Sequence, residues 1–236
     1  NIEFRIRLGT HFSKNKKISI EQELNLFINI KELYKKHNKD FLIIVQYSKF
    51  SNKTYEYFNN LLNLIEKNNK FKQIIKGFDI VGAESCRSLF EYENDVITLI
   101  EKMNKFGFKF YFHAGEQNCQ FTKSNLEFAL KYGGDRIAHG VQILNYPSLL
   151  KIALEKKTIL EICPLSNVIL EHYEPNMFMN LKKSGLLFTI SSDDPNKLGD
   201  KDLTDNFIYL FEKSNFSLED LKKCVKLSDD VFENKN

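Results

Sequence analysis

A chain of 236 residues, 42% hydrophobic and 28% charged, can bury one full core and has an ordinary length for a single α/β barrel domain. Its net charge of +3, with lysines scattered among nearly as many acids, argues against a nucleic-acid surface. No run of about 18 apolar residues is present to span a membrane, and Cys86, Cys119, Cys163 and Cys224 show neither zinc-type pairing nor dense disulfide spacing.

The chain opens at Asn1, not Met, and directly on a strand-like run, so it reads as a piece of a longer protein. Ile2–Leu8 alternates apolar and charged residues, the pattern of a strand. Ser19–Asn38 reads as a helix: Ser19 and Gln22 form a capping-box pattern ahead of Leu24, Phe27, Ile28 and Tyr34 at helical spacing. Phe41–Tyr47 is a continuous apolar run, as expected of a parallel strand buried on both faces. Phe58, Leu61, Leu62 and Ile65 mark the next helix, Gly77–Gly82 a short strand ending in glycine, and Val96, Ile100 and Met103 a further helix.

Lys109–His113 is the strand around which the rest is organised, followed by a short helix at Leu126–Leu130. Arg136–His139 is a strand ending in histidine, and Pro147 suits the first position of a helix carrying Leu150 and Ala153. Thr158–Cys163 is a strand stopped by Pro164, and Pro175 begins a helix that Gly185 can end. Leu187–Ser192 is the last strand, and Phe207–Phe211 and Leu218–Val225 are closing helices. Seven strand–helix units in regular alternation predict an α/β fold, a TIM (β/α)8 barrel with its first unit missing. On this reading 1–236 is one N-terminally incomplete barrel domain.

The polar residues that could do chemistry fall at strand C-terminal ends: Gly82, His113 with Glu116, His139, and Asp193 with Asp194. In a barrel those ends converge on one face, where such enzymes place their chemistry. Taken singly, His139 reads equally as a satisfied core histidine and Asp193–Asp194 as a turn or cap before Pro195. Four strands agreeing is harder to obtain from packing alone. Cys163, inside an apolar strand, reads as a buried inert thiol. Asn52 and Asn215 head N-x-[ST] sequons, which chance supplies easily in a chain this rich in asparagine.

HAGE at 113–116, RIAHG at 136–140, EICPLSN at 161–167 and ISSDDP at 190–195 resemble the adenosine deaminase family, in its order and spacing. GFDIVG at 77–82 resembles the strand before HAGE, and with ISSDDP it is most similar to the adenosine deaminase-related growth factor branch. The resemblance implies a barrel of the metal-dependent hydrolase type that converts adenosine and 2′-deoxyadenosine to inosine with one Zn2+ per subunit. It makes His113 and Asp193 zinc ligands and Glu116 the acid that protonates purine N1. His139 would orient and deprotonate the attacking water, Asp193 would also contact that water, Asp194 would hydrogen-bond at N7, and the Gly82 backbone would meet N3.

The chain departs from the family pattern at several positions. The family's first strand carries two further ligands as His-x-His, whereas this chain has only His11, His37, His113, His139 and His172. His11 and His37 read as loop and helix-end residues. Ala83 replaces a usually polar residue, and Glu174–Pro175 a common His–Pro. The missing pair keeps a catalytically inactive growth-factor-like binding protein open beside the enzyme, and residues 1–236 alone are expected to have little activity. A deaminase of AMP or of an N6-substituted adenine nucleotide is the alternative within enzymes. The branch resemblance favours secretion, leaves a cytoplasmic protein open, and allows a homodimer.

Overall fold

Besides a short antiparallel pair, Phe12–Ser13 with Lys16–Lys17, seven strands follow one another between helices in the computed structural model, which describes residues 2–9, 12–13, 16–49, 51, 53–171 and 173–233. They are β1 (Ile2–Ile6), β2 (Phe41–Ser48), β3 (Ile75–Val81), β4 (Lys109–Ala114), β5 (Arg136–His139), β6 (Ile159–Ile162) and β7 (Leu187–Ile190). His11, His172 and Asn52 lie outside the described residues. The chain divides into two compact units, one of residues up to Gly82 with Glu91–Tyr111, the other of Ala83–Phe90 with the chain from Phe112 onward.

In the first unit β2 lies parallel to β1, from Ile2↔Phe41 to Ile6↔Val45, and parallel to β3. Ile43, Ile44 and Val45 of β2 are buried in succession, as its unbroken apolar run predicts. The helix Ile20–Lys35 begins with the expected capping box, Ser19 and Gln22 each satisfying a backbone N–H of the other. The helix Thr54–Lys67 buries Phe58, Leu61, Leu62 and Ile65, and Phe58 meets Phe78 and Phe110 edge-on at 5.4 and 5.6 Å. Arg5 on β1 pairs with the buried Asp79 on β3 at 2.7 Å, and Glu3 with Lys76 at 2.6 Å.

Gly77 is required by close approach. A Cβ there would stand 2.5 Å from the Lys109 carbonyl oxygen and 2.9 Å from the Tyr111 ring. Backbone cannot yield as a flexible side chain can, so Gly77→Ala is expected to cost about 1–3 kcal/mol. Urea denaturation reads this as a lower midpoint at unchanged slope. An unchanged midpoint would contradict the packing described.

In the second unit parallel ladders join β4 to β5, β5 to β6 and β6 to β7. The helix Thr122–Tyr132 buries Leu126, Phe128 and Ala129, and Phe128 meets Phe112 and Phe90 edge-on at 5.3 and 5.1 Å. Arg136 on β5 and Glu161 on β6 form a buried ion pair at 2.8 Å. Pro147 starts the helix Pro147–Lys156 at its first turn, where a missing N–H costs nothing.

The closing helix Leu218–Glu233 is capped by Ser217 and Asp220, each side chain taking the other's backbone N–H. The Ser217 N–H and hydroxyl, with Lys182 at 3.0 Å, hold the Asp220 carboxyl down to about 2. A depressed carboxylate stabilises the fold fully above its unfolded value, about 3.9, and loses that contribution as pH falls toward 2. Acid titration of stability is therefore expected to be shallower in Asp220→Asn over that window. Superimposable acid limbs for variant and parent would contradict the assignment.

Sequence and structure differ at several edges. β1 ends at Ile6, not Leu8, where its ladder with Phe41–Val45 runs out. Ile100 and Leu150 are only half-buried, and their neighbours Leu99 and Leu149 take the inward places. Pro164 does more than stop a strand: it opens a helix, Pro164–Glu171, that local sequence pattern does not announce.

Candidate active site

The second unit gathers the chemistry. Register pairs Ala114 of β4 with His139 of β5, so His113 and His139 sit side by side with ring centroids 5.1 Å apart. His139 is buried, and its Nε2 lies 3.6 Å from a Glu116 carboxyl oxygen. Its Nδ1 is 3.4 Å from the Asn167 amide nitrogen, so each ring nitrogen faces a side chain. Backbone conformation marks the site as well. His139 and Asp193 both have φ of +62°, in the left-handed region that non-glycine residues seldom occupy.

Asp193 follows β7 and accepts a hydrogen bond from the Ser166 hydroxyl at 2.5 Å. Desolvation pushes its carboxyl up, but His139, the Ser166 hydroxyl, His113 and Lys197 together hold it below the usual carboxylate range. A His139 nitrogen, the Cys163 sulfur and an Asp193 oxygen all lie within 4.8 Å of one another. Imidazole, thiolate and carboxylate are the donors zinc takes, so this corner of the site, with His113 beside it, fits a zinc-type ion. Cys163 stands one place beyond β6, not within it, and its thiol donates to the Glu161 carbonyl at 3.7 Å.

Glu116 is carried on a turn that only glycine opens. Gly115 has φ of +69°, and a Cβ there would meet Leu126 at 2.7 Å and the Gly140 Cα at 3.2 Å. Gly140, with φ of +71°, permits the matching turn after His139. Ser166, Asn167 and Tyr173 join the site through contacts to Asp193, His139 and Glu116 respectively. Sequence reasoning assigns them no role. Ser166 and Asn167 lie within the EICPLSN motif, but Tyr173 carries no signal of its own.

Asp194 and Gly82 are the remaining expected substrate contacts. The Asp194 carboxyl faces Lys197 at 3.4 Å, on the side chain's open flank. Gly82 belongs to the first unit, where it follows β3 with φ of +117°. Beyond Gly140 a cavity of about 580 Å³ opens, lined by Val141, Leu144 and Met177 with the polar side chains of Asn145, Tyr173 and Asn180. That volume is in the range of small-molecule sites.

Residues 14–228 match the adenosine deaminase family. The chain belongs to that family. Adenosine deaminase 2 of Sus scrofa is 30% identical over 209 residues, which cover 86% of this chain and 38% of that protein. This family member thus spans well under half the length of the curated relative it matches. The adenine deaminase AAur1117 of Arthrobacter aurescens superposes with a TM-score of 0.73 at 21% identity, over 88% of this chain and 61% of that one. A Burkholderia ambifaria amidohydrolase with bound Zn gives 0.70 at 18% identity, over 86% and 54%. These likenesses show the fold: α/β with seven parallel strands, of the TIM-barrel kind that the strand–helix alternation predicts.

Proposed function

We propose that the full protein deaminates adenosine and 2′-deoxyadenosine to inosine with one zinc ion per subunit. The observation that carries this reading is the convergence of His113, Glu116, His139 and Asp193 at the ends of three strands of one unit. His113 and Asp193 would hold the ion, with Cys163 a further donor beside Asp193. When bound, zinc supplies Lewis acidity that brings the pKa of a water from about 15.7 toward 7.

The chain's own residues do the rest. Glu116 holds the proton that goes to purine N1, neutralising charge that develops on the ring. His139 orients the water and takes its proton, and the oxygen bonds to C6; His139 then passes that proton to the amino group, the C6–N bond breaks as ammonia leaves, and the C6 hydroxyl proton returns to Glu116. The Gly82 backbone is assigned to N3 and Asp194 to N7, a contact that requires Asp194 to turn from Lys197. The relative's name, adenosine deaminase 2, supports the nucleoside as substrate. Deamination of AMP or an N6-substituted nucleotide and an inactive growth-factor-like protein remain the competing readings.

The test is release of the C6 amine, ammonia from adenosine, 2′-deoxyadenosine and AMP or methylamine from an N6-methylated nucleotide, by zinc-loaded full-length protein. Turnover of the two nucleosides at least tenfold above the nucleotides is expected. Preference for a nucleotide, or no amine released from any of the four, would overturn the reading. Secretion and a homodimer are part of the proposal. Asn215 is exposed at a left-handed turn between helices, where its sequon would be open to glycan in a secreted protein. No described helix is long and apolar enough to cross a membrane.

A further inference from the structure

We propose that Glu84 is a positioning residue for Glu116, holding the turn that carries the catalytic acid; this rests on the deaminase reading above. Glu84 is 1% exposed. One of its carboxyl oxygens accepts the Gly115 N–H at 2.8 Å and the other the Gln117 N–H at 3.1 Å. The amides on either side of Glu116 therefore share a single buried carboxylate.

The carbonyls of the same turn are held as well. The Gly115 oxygen accepts the Gln142 N–H at 2.9 Å, the Glu116 oxygen the Tyr173 hydroxyl at 2.6 Å, and the Gln117 oxygen the Thr122 hydroxyl at 2.6 Å. The Gln117 side chain ties the turn further, accepting the Ser85 N–H at 3.2 Å and donating to Glu171 at 2.9 Å. Five backbone groups across three residues are thus fixed, and the Glu116 carboxyl is left to face His139. Among the described residues only Glu84 bonds to both amides, and only a carboxylate offers an acceptor to each. A glutamine in its place offers one oxygen and turns an NH2 group toward the other N–H, a donor against a donor. A catalytic group displaced by as little as about 1 Å can lose about 10²-fold in rate.

Glu84→Gln in the zinc-loaded full-length protein is expected to lower kcat for adenosine about 10–100-fold, with KM within about threefold and zinc content unchanged. Amide hydrogen exchange at Gly115 and Gln117 is expected to quicken. Because Glu84 acts through Glu116, the loss from Glu84→Gln is expected to shrink severalfold when Glu116 is already Gln, a non-additivity that a purely structural role would not produce. Glu84→Asp keeps two acceptor oxygens on a shorter stem and is expected to recover part of the rate, and it carries the test if the glutamine variant does not fold. An unchanged kcat in Glu84→Gln, or losses that multiply fully with Glu116→Gln, would overturn the proposal. If the parent protein does not turn over adenosine, the deaminase reading fails by itself. The exchange rates then decide alone: unchanged exchange at both amides refutes the clamp.

Discussion

Glu116→Gln is expected to keep its metal and its affinity for adenosine while losing about 10²–10⁴-fold in kcat, the usual worth of a positioned general acid. The two side chains are nearly isosteric, and the turn beneath them is fixed through its backbone, so the substitution changes the proton and little else. An amide has no proton acidic enough to give to purine N1. Steady-state kinetics followed by ultraviolet absorbance separate kcat from KM. Turnover within a fewfold of the parent would remove Glu116 from the mechanism.

The second large effect concerns Asp193. Removing the carboxylate in Asp193→Ala is expected to weaken zinc binding by more than the 10–100-fold typical of an outer partner of a metal ligand, and turnover should fall with it. Asp193→Gly separates that loss from folding. With φ of +62°, Asp193 occupies a conformation that costs a side-chain-bearing residue and costs glycine nothing. With both variants metal-free, the glycine variant is therefore expected to melt above the alanine variant while losing zinc to the same degree. Metal analysis after dialysis and a thermal melt read both halves. Full zinc content in either variant would end the assignment of Asp193 as a ligand.

The fold was legible wherever the signal is local. The Ser19–Gln22 box, Pro147 at a first helical turn and the four residues of β5 all lie where spacing puts them. Strand ends were less legible because a ladder stops where its partner stops. Arg7–Leu8 and Ser191–Ser192 continue the local pattern past that point. Pro164 is ambiguous for a similar reason: proline ends a strand and begins a helix equally well. Its second role depends on Asn206, whose side-chain oxygen takes the Leu165 N–H at 2.9 Å.

At the site, His113, Glu116, His139 and Asp193 were visible because each stands at or just past the end of an apolar strand. Their supports were not. Glu84 reaches a turn 31 residues away, Tyr173 one 57 away, and Ser166 and Asn167 partners 27 and 28 away. Nothing in local periodicity marks such residues, since their value lies in what another segment brings to them. Cys163 shows the converse. An apolar run predicted an inert thiol, and a strand ending one residue early sets its sulfur within reach of His139 and Asp193.

Zinc-edge anomalous diffraction from crystals of the full-length protein locates the ion without reference to activity. One zinc peak per subunit is predicted, within about 2.0–2.2 Å of a His113 nitrogen and an Asp193 oxygen, with His139 and Glu116 facing the open side. A peak held by Cys163 and His139 without His113, or no zinc at the strand ends at all, would contradict the account.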